Sequence, residues 1–213
     1  MEEIKNRILE ALYSLPAILI GLSFHEWGHA YAAYKRGDPT ARNLGRMTVN
    51  PLAHIDPVGF LSLLILGFGW AKPVPVSTRN FKSPKKDELI VSLAGVTVNL
   101  ILGVIFLILY VIFGFLPWYS DIVSIMLQYC FMINFGLMVF NLLPIPPLDG
   151  YHVVQCLFMN QRTYRFFNFV EKYSYVILIG VLLLNSRTGF LNALVKLVMM
   201  PFIALIELVV NLF

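Results

Sequence analysis

Two long apolar runs dominate this chain, at residues 88–115 and 122–143, and a third covers residues 8–24. The first two hold few charges and reach the roughly 20 residues that a helix needs to cross a bilayer. Only 13% of the residues are charged, against about a quarter in a soluble domain, and the mean hydropathy is +0.75. Inside lipid every backbone polar group must be hydrogen-bonded, which favours helices. The sequence therefore predicts an all-α, multi-pass membrane protein.

The basic residues predict how the chain lies across the bilayer. Lys and Arg collect in the stretches 35–57, 70–87 and 150–173, whereas the turn at 116–121 contains neither. Because cytoplasmic loops carry the excess of Lys and Arg, the three basic stretches are predicted to face the cytoplasm and the turn to face outside. The N-terminus is then outside as well. The basic run at 82–86 is interpreted as facing lipid headgroups, not nucleic acid.

The stretch 38–80 differs from the long apolar runs. Residues 58–69 are apolar, but they are too few to span with ease and have basic sequence on both sides, so a re-entrant or shallow segment fits better than a crossing, which the sequence leaves open. Turn signals surround residues 40–49, which could pair as short strands. Prolines keep residues 72–77 extended. We therefore expect short extended or β segments together with a re-entrant segment in this part of the chain.

The C-terminal part is predicted to form a helical hairpin at about 173–213, with its turn near Gly189. With this hairpin the expected bundle contains about five to six transmembrane helices. The sequence has no internal repeat and no low-complexity linker. Residues 1–213 are therefore predicted to form a single membrane-embedded domain, with a core at about 8–155.

The most polar part of the first helix reads His25-Glu26-Trp27-Gly28-His29. On a helix, His25 and His29 lie one turn apart on the same face, so both imidazoles can bind one Zn²⁺. Glu26 stands about 100° round the helix from His25, near enough to take a proton from water at the metal. Ionisable side chains on an apolar helix are costly unless they are satisfied. A zinc ion would satisfy all three, and the alternative is a hydrogen-bonded polar cluster between helices.

A catalytic zinc site usually has three protein ligands, so a third must come from elsewhere in the chain. The other histidines and the carboxylates considered for it are His54, His152, Asp38, Asp56, Asp87, Glu88, Asp149, Glu171 and Glu207. Asp149 is favoured because it follows the run 122–143 as that run returns to the cytoplasmic side, the depth predicted for His25 and His29. Prolines before it break the helix and let the backbone turn inward. Asp149 could instead cap a helix, and His152 could replace it as ligand or hydrogen-bond to it.

Seven motifs follow one another along the chain. They are Phe24-His-Glu-Trp-Gly-His-Ala30, Gly37-Asp38, Gly45-Arg46, Asn50-Pro-Leu-Ala-His-Ile-Asp-Pro57, Trp70-Ala-Lys-Pro-Val-Pro75, Ala94-Gly-Val-Thr-Val-Asn99 and Asn141-Leu-Leu-Pro-Ile-Pro-Pro-Leu-Asp-Gly150. In order and spacing, from about residue 15 to 155, the chain resembles the site-2 protease family of intramembrane zinc metalloproteases. It is most similar to the short prokaryotic branch that lacks a PDZ or CBS domain. Val96 departs from the family pattern, which often has proline there.

The resemblance implies a fold and a set of roles. It implies a three-helix catalytic core in which one Zn²⁺ per chain is held by His25, His29 and Asp149, with Glu26 as the general base. It also implies substrate-positioning or oxyanion-stabilising roles for Asn141 and His54. The terminal segment, 160–213, matches none of the family's motifs.

The predicted function is that of an intramembrane zinc endopeptidase. Its substrate would be a single-span membrane protein, cut in or near the transmembrane segment. The expected location is the inner membrane of a bacterium or archaeon, with the active site toward the cytoplasm. Two alternatives remain open: a membrane protein in which His25, His29 and Asp149 form a zinc-transit site, and a metalloprotease of another class whose third ligand is a glutamate such as Glu171. The sequence leaves the oligomeric state open.

Overall fold

A computed structural model describes residues 1–66, 69–116 and 120–210, without the side chains of residues 2–4, 6–8 and 64–66. The predicted external turn at 116–121 thus lies partly outside the described residues. The helices are α1 (Glu2–Arg36), α2 (Thr40–Asn43), α3 (Pro57–Leu66), α4 (Pro84–Gly114), α5 (Asp121–Asn141), α6 (Asp149–Phe158), α7 (Tyr164–Lys172), α8 (Ser174–Thr188) and α9 (Phe190–Val210). Short 3₁₀ turns occur at Pro51–Ala53 and Thr78–Asn80. In the described part of the chain, helix is the dominant structure and the all-α prediction is confirmed.

Helices α1, α4 and α5 pack against one another and form the centre of the bundle. Helix α6 packs on α4, and α9 packs on α5. An apolar cluster of Leu107, Phe131, Phe135 and Met199 ties α4, α5 and α9 together. This arrangement corresponds to the three-helix core implied by the resemblance. The single domain and its C-terminal hairpin stay predictions.

The faces of α4 show how the chain meets lipid. Ile101, Ile105, Ile108 and Ile112 recur at helical spacing and are 42–52% exposed. Asn99, by contrast, is fully buried on the same helix. Apolar side chains outside and polar side chains inside are the pattern of a helix solvated by hydrocarbon, because a buried polar group can find partners only in the bundle.

Among the described residues, α4, α5 and α9 are long and apolar enough to cross a membrane. Helices α7 and α8 meet the same criterion only together, and they are bent by 70° where they join. The predicted number of about five to six spans is therefore wrong by this criterion, which gives three or four. Helix α3 has only ten residues and α8 fifteen, both short of the roughly 20 needed. Helix α1 has 35 residues, but its second half carries the polar motif.

The prediction of short strands at residues 40–49 is wrong. Residues 40–43 form α2, and the carboxylate of Asp38 accepts the backbone N–H of Thr40 where this helix starts. That local bond gives the backbone a helical turn in place of strand pairing. The one isolated bridge in the described residues is antiparallel and joins Ile55 to Ala71. Residues 72–77 form neither helix nor strand, Ser77 has extended backbone angles, and Pro73 and Pro75 favour an extended path for the residues before them, in line with the prediction.

The ends of the segment that contains α3 lie side by side. Ile55 pairs with Ala71, and the backbone N–H of Lys72 donates to the carbonyl of His54 at 2.8 Å. A crossing would separate these residues by about 30 Å, the thickness of the hydrocarbon core. The chain therefore enters and leaves this segment at one level, which is the behaviour expected of a re-entrant segment. Residues 67–68 within it lie outside the described part.

Candidate metal centre

Helices α1 and α6 bring three side chains together. The Nε2 atoms of His25 and His29 are 3.0 Å apart, and each lies 3.3 Å from Oδ2 of Asp149. In the part of the chain that the structure describes, these residues form the group of histidine and acidic side chains whose geometry could hold a metal ion. All three are at least partly buried between helices. The third ligand favoured from the sequence thus lies beside the paired imidazoles.

Hydrogen bonds orient both imidazoles. Nδ1 of His29 lies 2.8 Å from the carbonyl of Val91, and Nδ1 of His25 lies 2.7 Å from Oδ1 of Asn99. Both partners are acceptors, so each Nδ1 carries the proton and each Nε2 presents a lone pair. Two lone pairs and a carboxylate oxygen therefore converge, and Oδ2 of Asp149 is a buried atom without a hydrogen-bond donor among the described residues. With both rings neutral, three acceptors face one another, and a cation between them would remove the cost of leaving them unpaired.

The spacing suits zinc. A tetrahedral Zn²⁺ with bonds of about 2.0–2.2 Å places its ligand atoms about 3.3–3.6 Å apart. The two separations of 3.3 Å from Asp149 lie at the lower end of this range, and the 3.0 Å between the imidazoles is slightly shorter. Three protein ligands leave one tetrahedral position open, as in catalytic zinc sites.

Two glycines allow this convergence. A Cβ atom at Gly95 on α4 would lie 2.4 Å from Nε2 of His29 and 2.6 Å from Cε1 of His25. A Cβ atom at Gly150, next to Asp149, would lie 2.2 Å from the carbonyl oxygen of Leu142. Side chains at either position would push apart the elements that carry the three residues. The close approach of backbone to imidazole explains why glycine stands there.

Glu26 lies beside the three residues but is not part of their cluster. Its side chain is only 8% exposed, and its Oε2 accepts the backbone N–H of Val74 at 2.8 Å. Val74 belongs to the extended segment 72–77. The carboxylate is thus fixed between α1 and this segment, in the same cavity as His25, His29 and Asp149.

The site opens into a cavity of about 450 Å³. Its polar lining comes from His25, Glu26, His29, Thr78, Glu88, Ser92, Asn141, Asp149 and His152, and its apolar lining includes Pro73, Val74, Val76, Phe81 and Val91. Asn141, predicted to contact substrate, therefore faces the cavity, and its Nδ2 donates to the carbonyl of Leu137 at 2.9 Å. His54 lines a different cavity.

Of the alternatives considered for the third ligand, only Asp149 lies in the cluster formed by the described residues. Asp149 is the first residue of α6, but its side chain makes no capping hydrogen bond there, and its carboxylate points toward the imidazoles. His152 lines the cavity outside the cluster. Glu171 is exposed on α7. The geometry therefore favours Asp149 over the glutamate alternative.

Sequence reasoning missed two asparagines behind the site. Asn99 donates its Nδ2 to the carbonyl of Gly21 and to Oδ1 of Asn134, both at 3.0 Å, which turns its Oδ1 toward His25. Asn134 in turn donates to the carbonyl of Cys130 at 2.8 Å. Both asparagines are fully buried in apolar helices. The cost of polar groups in such helices, the argument used for the histidines, could have identified them.

Asn99→Leu is expected to weaken zinc binding by about 10–100-fold, the usual cost of losing a residue that orients a metal-binding histidine. The leucine is similar in size but offers no acceptor for Nδ1–H of His25. Zinc titration of purified protein measures the effect. Thr97→Val on the same helix is the control, since its hydroxyl bonds only to Leu93 within α4. Equal affinities in the two variants would contradict the orienting role of Asn99.

Asp38, one of the carboxylates considered for the third ligand, lies outside the cluster and has a structural role instead. It is fully buried, and its carboxylate accepts hydrogen bonds from the backbone of Ser77, the side chain of Asn80, and both the backbone and the hydroxyl of Thr40. Burial raises the pKa of this carboxyl, but these hydrogen bonds outweigh burial and hold the pKa below its ordinary value. Asp38 thereby holds Ser77 at the end of segment 72–77, the segment in which Val74 donates to Glu26.

Comparisons with known proteins agree with this geometry. The model of "Peptidase family M50" matches residues 117–185. "Putative zinc metalloprotease YwhC" of Bacillus subtilis is 42% identical over 150 residues, which is 68% of this chain and 68% of that protein. "Putative zinc metalloprotease MJ0611" of Methanocaldococcus jannaschii is 34% identical over 151 residues, 70% of this chain and 72% of that protein. "Putative zinc metalloprotease Rip2" of Mycolicibacterium smegmatis is 30% identical over 173 residues, 78% of this chain and 64% of that protein. The search of solved structures gave no match.

Proposed function

Because the chain belongs to peptidase family M50, a family of zinc metallopeptidases, we propose that it is an intramembrane endopeptidase. It cleaves a peptide bond in or near the transmembrane segment of a single-span membrane protein. The observation that carries this proposal is the convergence of three acceptor atoms and a neighbouring carboxylate inside a bundle of apolar helices.

In this proposal His25, His29 and Asp149 hold one zinc ion. When bound, zinc acidifies water and polarises the carbonyl of the scissile peptide bond. The hydrogen bonds from His25 to Asn99 and from His29 to Val91 keep both Nε2 lone pairs directed at the ion. Asp149 adds a negative charge that the two neutral imidazoles lack.

Glu26 acts as the general base. Its carboxylate removes a proton from the attacking water, and it later delivers that proton to the leaving amine. The residue is separate from the metal ligands, so it is free to change its protonation state. This separation also favours hydrolysis over zinc transit, since a transit site has no need of a base beside the ion. Asn141, in the same cavity, is placed to contact substrate near the reacting carbonyl.

The substrate must unwind before it is cut, because the carbonyls of a transmembrane helix are already hydrogen-bonded. The extended segment 72–77 lines the cavity and offers a backbone edge to which an unwound peptide can pair. A substrate carbonyl that accepts the N–H of Val74 would take the place of Glu26 Oε2 in that bond. Substrate pairing would then release the base at the moment it is needed.

We infer that this cavity faces the cytoplasm, and the excess of Lys and Arg in the stretches 35–57, 70–87 and 150–173 supports this orientation. The membrane is then the inner membrane of a prokaryotic cell. Water reaches the site from the cytoplasmic side, past the basic loops.

Cleavage of a single-span substrate in lipid nanodiscs tests the proposed function. We expect a zinc chelator to reduce cleavage to background and added Zn²⁺ to restore it, because three protein acceptors cannot polarise a carbonyl without the ion. Mass spectrometry of the products should place the cut in or next to the apolar segment. Chelator-resistant cleavage, or cuts only in distant soluble parts of the substrate, would argue against an intramembrane zinc endopeptidase.

A further inference from the structure

A second cavity, of about 500 Å³, lies between α1, α3 and α5. Its walls are almost entirely apolar, and its lining includes Leu19 and Leu22 of α1, Phe60 and Leu63 of α3, and Ile133, Gly136 and Leu137 of α5. The volume falls within the range of small-molecule and side-chain binding pockets.

This apolar cavity adjoins the cavity of the metal centre. Three stretches of chain contribute residues to both cavities. In each stretch one residue lines the apolar cavity and a near neighbour lines the metal cavity, and the pairs are Ser23 and Glu26, Ala71 and Pro73, and Phe140 and Asn141. Neighbours this close along a helix or strand are separated by about 2–7 Å along its axis. A peptide extended beside residues 70–76 would therefore reach both cavities at once.

His54 lines the apolar cavity and carries one unpaired hydrogen-bond acceptor among the described residues. The residue is 2% exposed, and its Nε2 lies 2.8 Å from the carbonyl of Thr48. A carbonyl only accepts, so Nε2 donates and Nδ1 carries a lone pair in the neutral ring. Nδ1 is buried and has no hydrogen-bond partner among the residues that the structure describes. An unsatisfied acceptor in an apolar pocket is costly, and a donor brought by a ligand would remove that cost.

We propose that this cavity is a substrate subsite that receives a large apolar side chain, such as leucine or phenylalanine, from the unwound segment next to the scissile bond. The backbone N–H of that substrate residue, freed by unwinding, donates to Nδ1 of His54. The inference rests on the proposed endopeptidase function and adds the residue class that the enzyme selects. It also gives His54 a positioning role as an acceptor, in place of the oxyanion-stabilising role expected from the sequence.

Gly136→Leu tests the subsite because it adds an apolar side chain at a residue that lines the cavity and has open space at its Cβ position. A Cβ atom at Gly136 meets nothing within 4 Å, although the residue lines the cavity. Gly180 on α8 is a matched control, since a Cβ atom there also meets nothing within 4 Å and the residue is exposed. The substrates are one single-span protein and its leucine-to-alanine variants at each of three positions on either side of the cut.

We expect the unmodified enzyme to prefer leucine over alanine by about tenfold or more in kcat/KM at one of these positions. Gly136→Leu should bring this ratio close to one at that position only, whereas Gly180→Leu should keep it. An unchanged ratio in Gly136→Leu would overturn the subsite. Equal losses on the leucine and alanine substrates would also overturn it, because a lipid chain in the cavity or a disturbed helix would lower both alike. Absence of cleavage by the unmodified enzyme would instead count against the proposed function itself.

His54→Gln tests the acceptor separately. The glutamine amide can still donate to the carbonyl of Thr48, but it has no acceptor at the position of Nδ1. We expect kcat/KM for the leucine substrate to fall about three- to tenfold, the usual worth of one hydrogen bond, with zinc content unchanged. Unchanged kcat/KM, or loss of zinc together with activity, would overturn the role assigned to His54.

Discussion

Replacement of Glu26 by glutamine is expected to lower kcat by about 10²–10⁴-fold while the protein still binds zinc. General bases contribute rate factors of this size, and the amide cannot accept the proton of the attacking water. The substitution is nearly isosteric, and its carbonyl oxygen can still accept the N–H of Val74, so the extended segment keeps its place. Cleavage of a single-span substrate and elemental analysis of the same preparation measure the two effects.

Glu10→Gln provides the matched control, because it removes a carboxylate from an exposed position on the same helix. Its activity should equal that of the unmodified protein. Cleavage that persists in Glu26→Gln would exclude Glu26 as the base and leave zinc transit as the better account of the cluster. Zinc lost from Glu26→Gln would mean that the carboxylate is a ligand.

Asp149→Asn is expected to reduce both zinc affinity and cleavage, the latter to background. The neutral amide leaves two imidazoles without the negative charge that completes the site, so the loss of affinity should exceed the roughly 10–100-fold typical of residues that only orient a ligand. Zinc retained after dialysis against a weak chelator, measured per protein chain, gives the first quantity. A timed cleavage assay gives the second.

Asp121→Asn is the control for this change, since Asp121 is also the first residue of a helix and is exposed. It should keep full zinc content and activity. If the two variants retained the same zinc, Asp149 would not be a ligand, and its place beside His25 and His29 would need another explanation. Thermal unfolding of both variants without zinc separates loss of metal from loss of fold.

The chemistry of the site could be predicted from the sequence because it depends on local geometry. Helical spacing sets His25 and His29 on one face, and their polarity within an apolar run makes a partner necessary. Asp149 could be selected as the third ligand from its predicted depth in the membrane, because the apolar run 122–143 before it ends at the depth predicted for His25 and His29. The structure brings these three side chains within hydrogen-bonding range of one another.

What the sequence could not supply depends on contacts between distant residues. Nothing local indicates that the amide of Asn99 turns toward His25, because that orientation follows from Gly21 and Asn134 on two other helices. Residues 40–43 form a helix that starts where the Asp38 carboxylate accepts the Thr40 N–H, and this carboxylate is held in place by Ser77 and Asn80 from a distant part of the chain. The number of spans was overestimated because apolar composition alone does not fix helix length: α3 and α8 have only ten and fifteen residues, and the second half of α1 carries the polar motif.

The close contact between Gly95 and the two imidazoles means that one side of the site is covered by helix α4. Helix α4 presses its bare backbone against the rings and closes that flank, and the cavity lies on the side of residues 73–76. If substrate and products both pass these residues, departure of the two fragments must precede entry of the next chain and is a natural bottleneck for turnover.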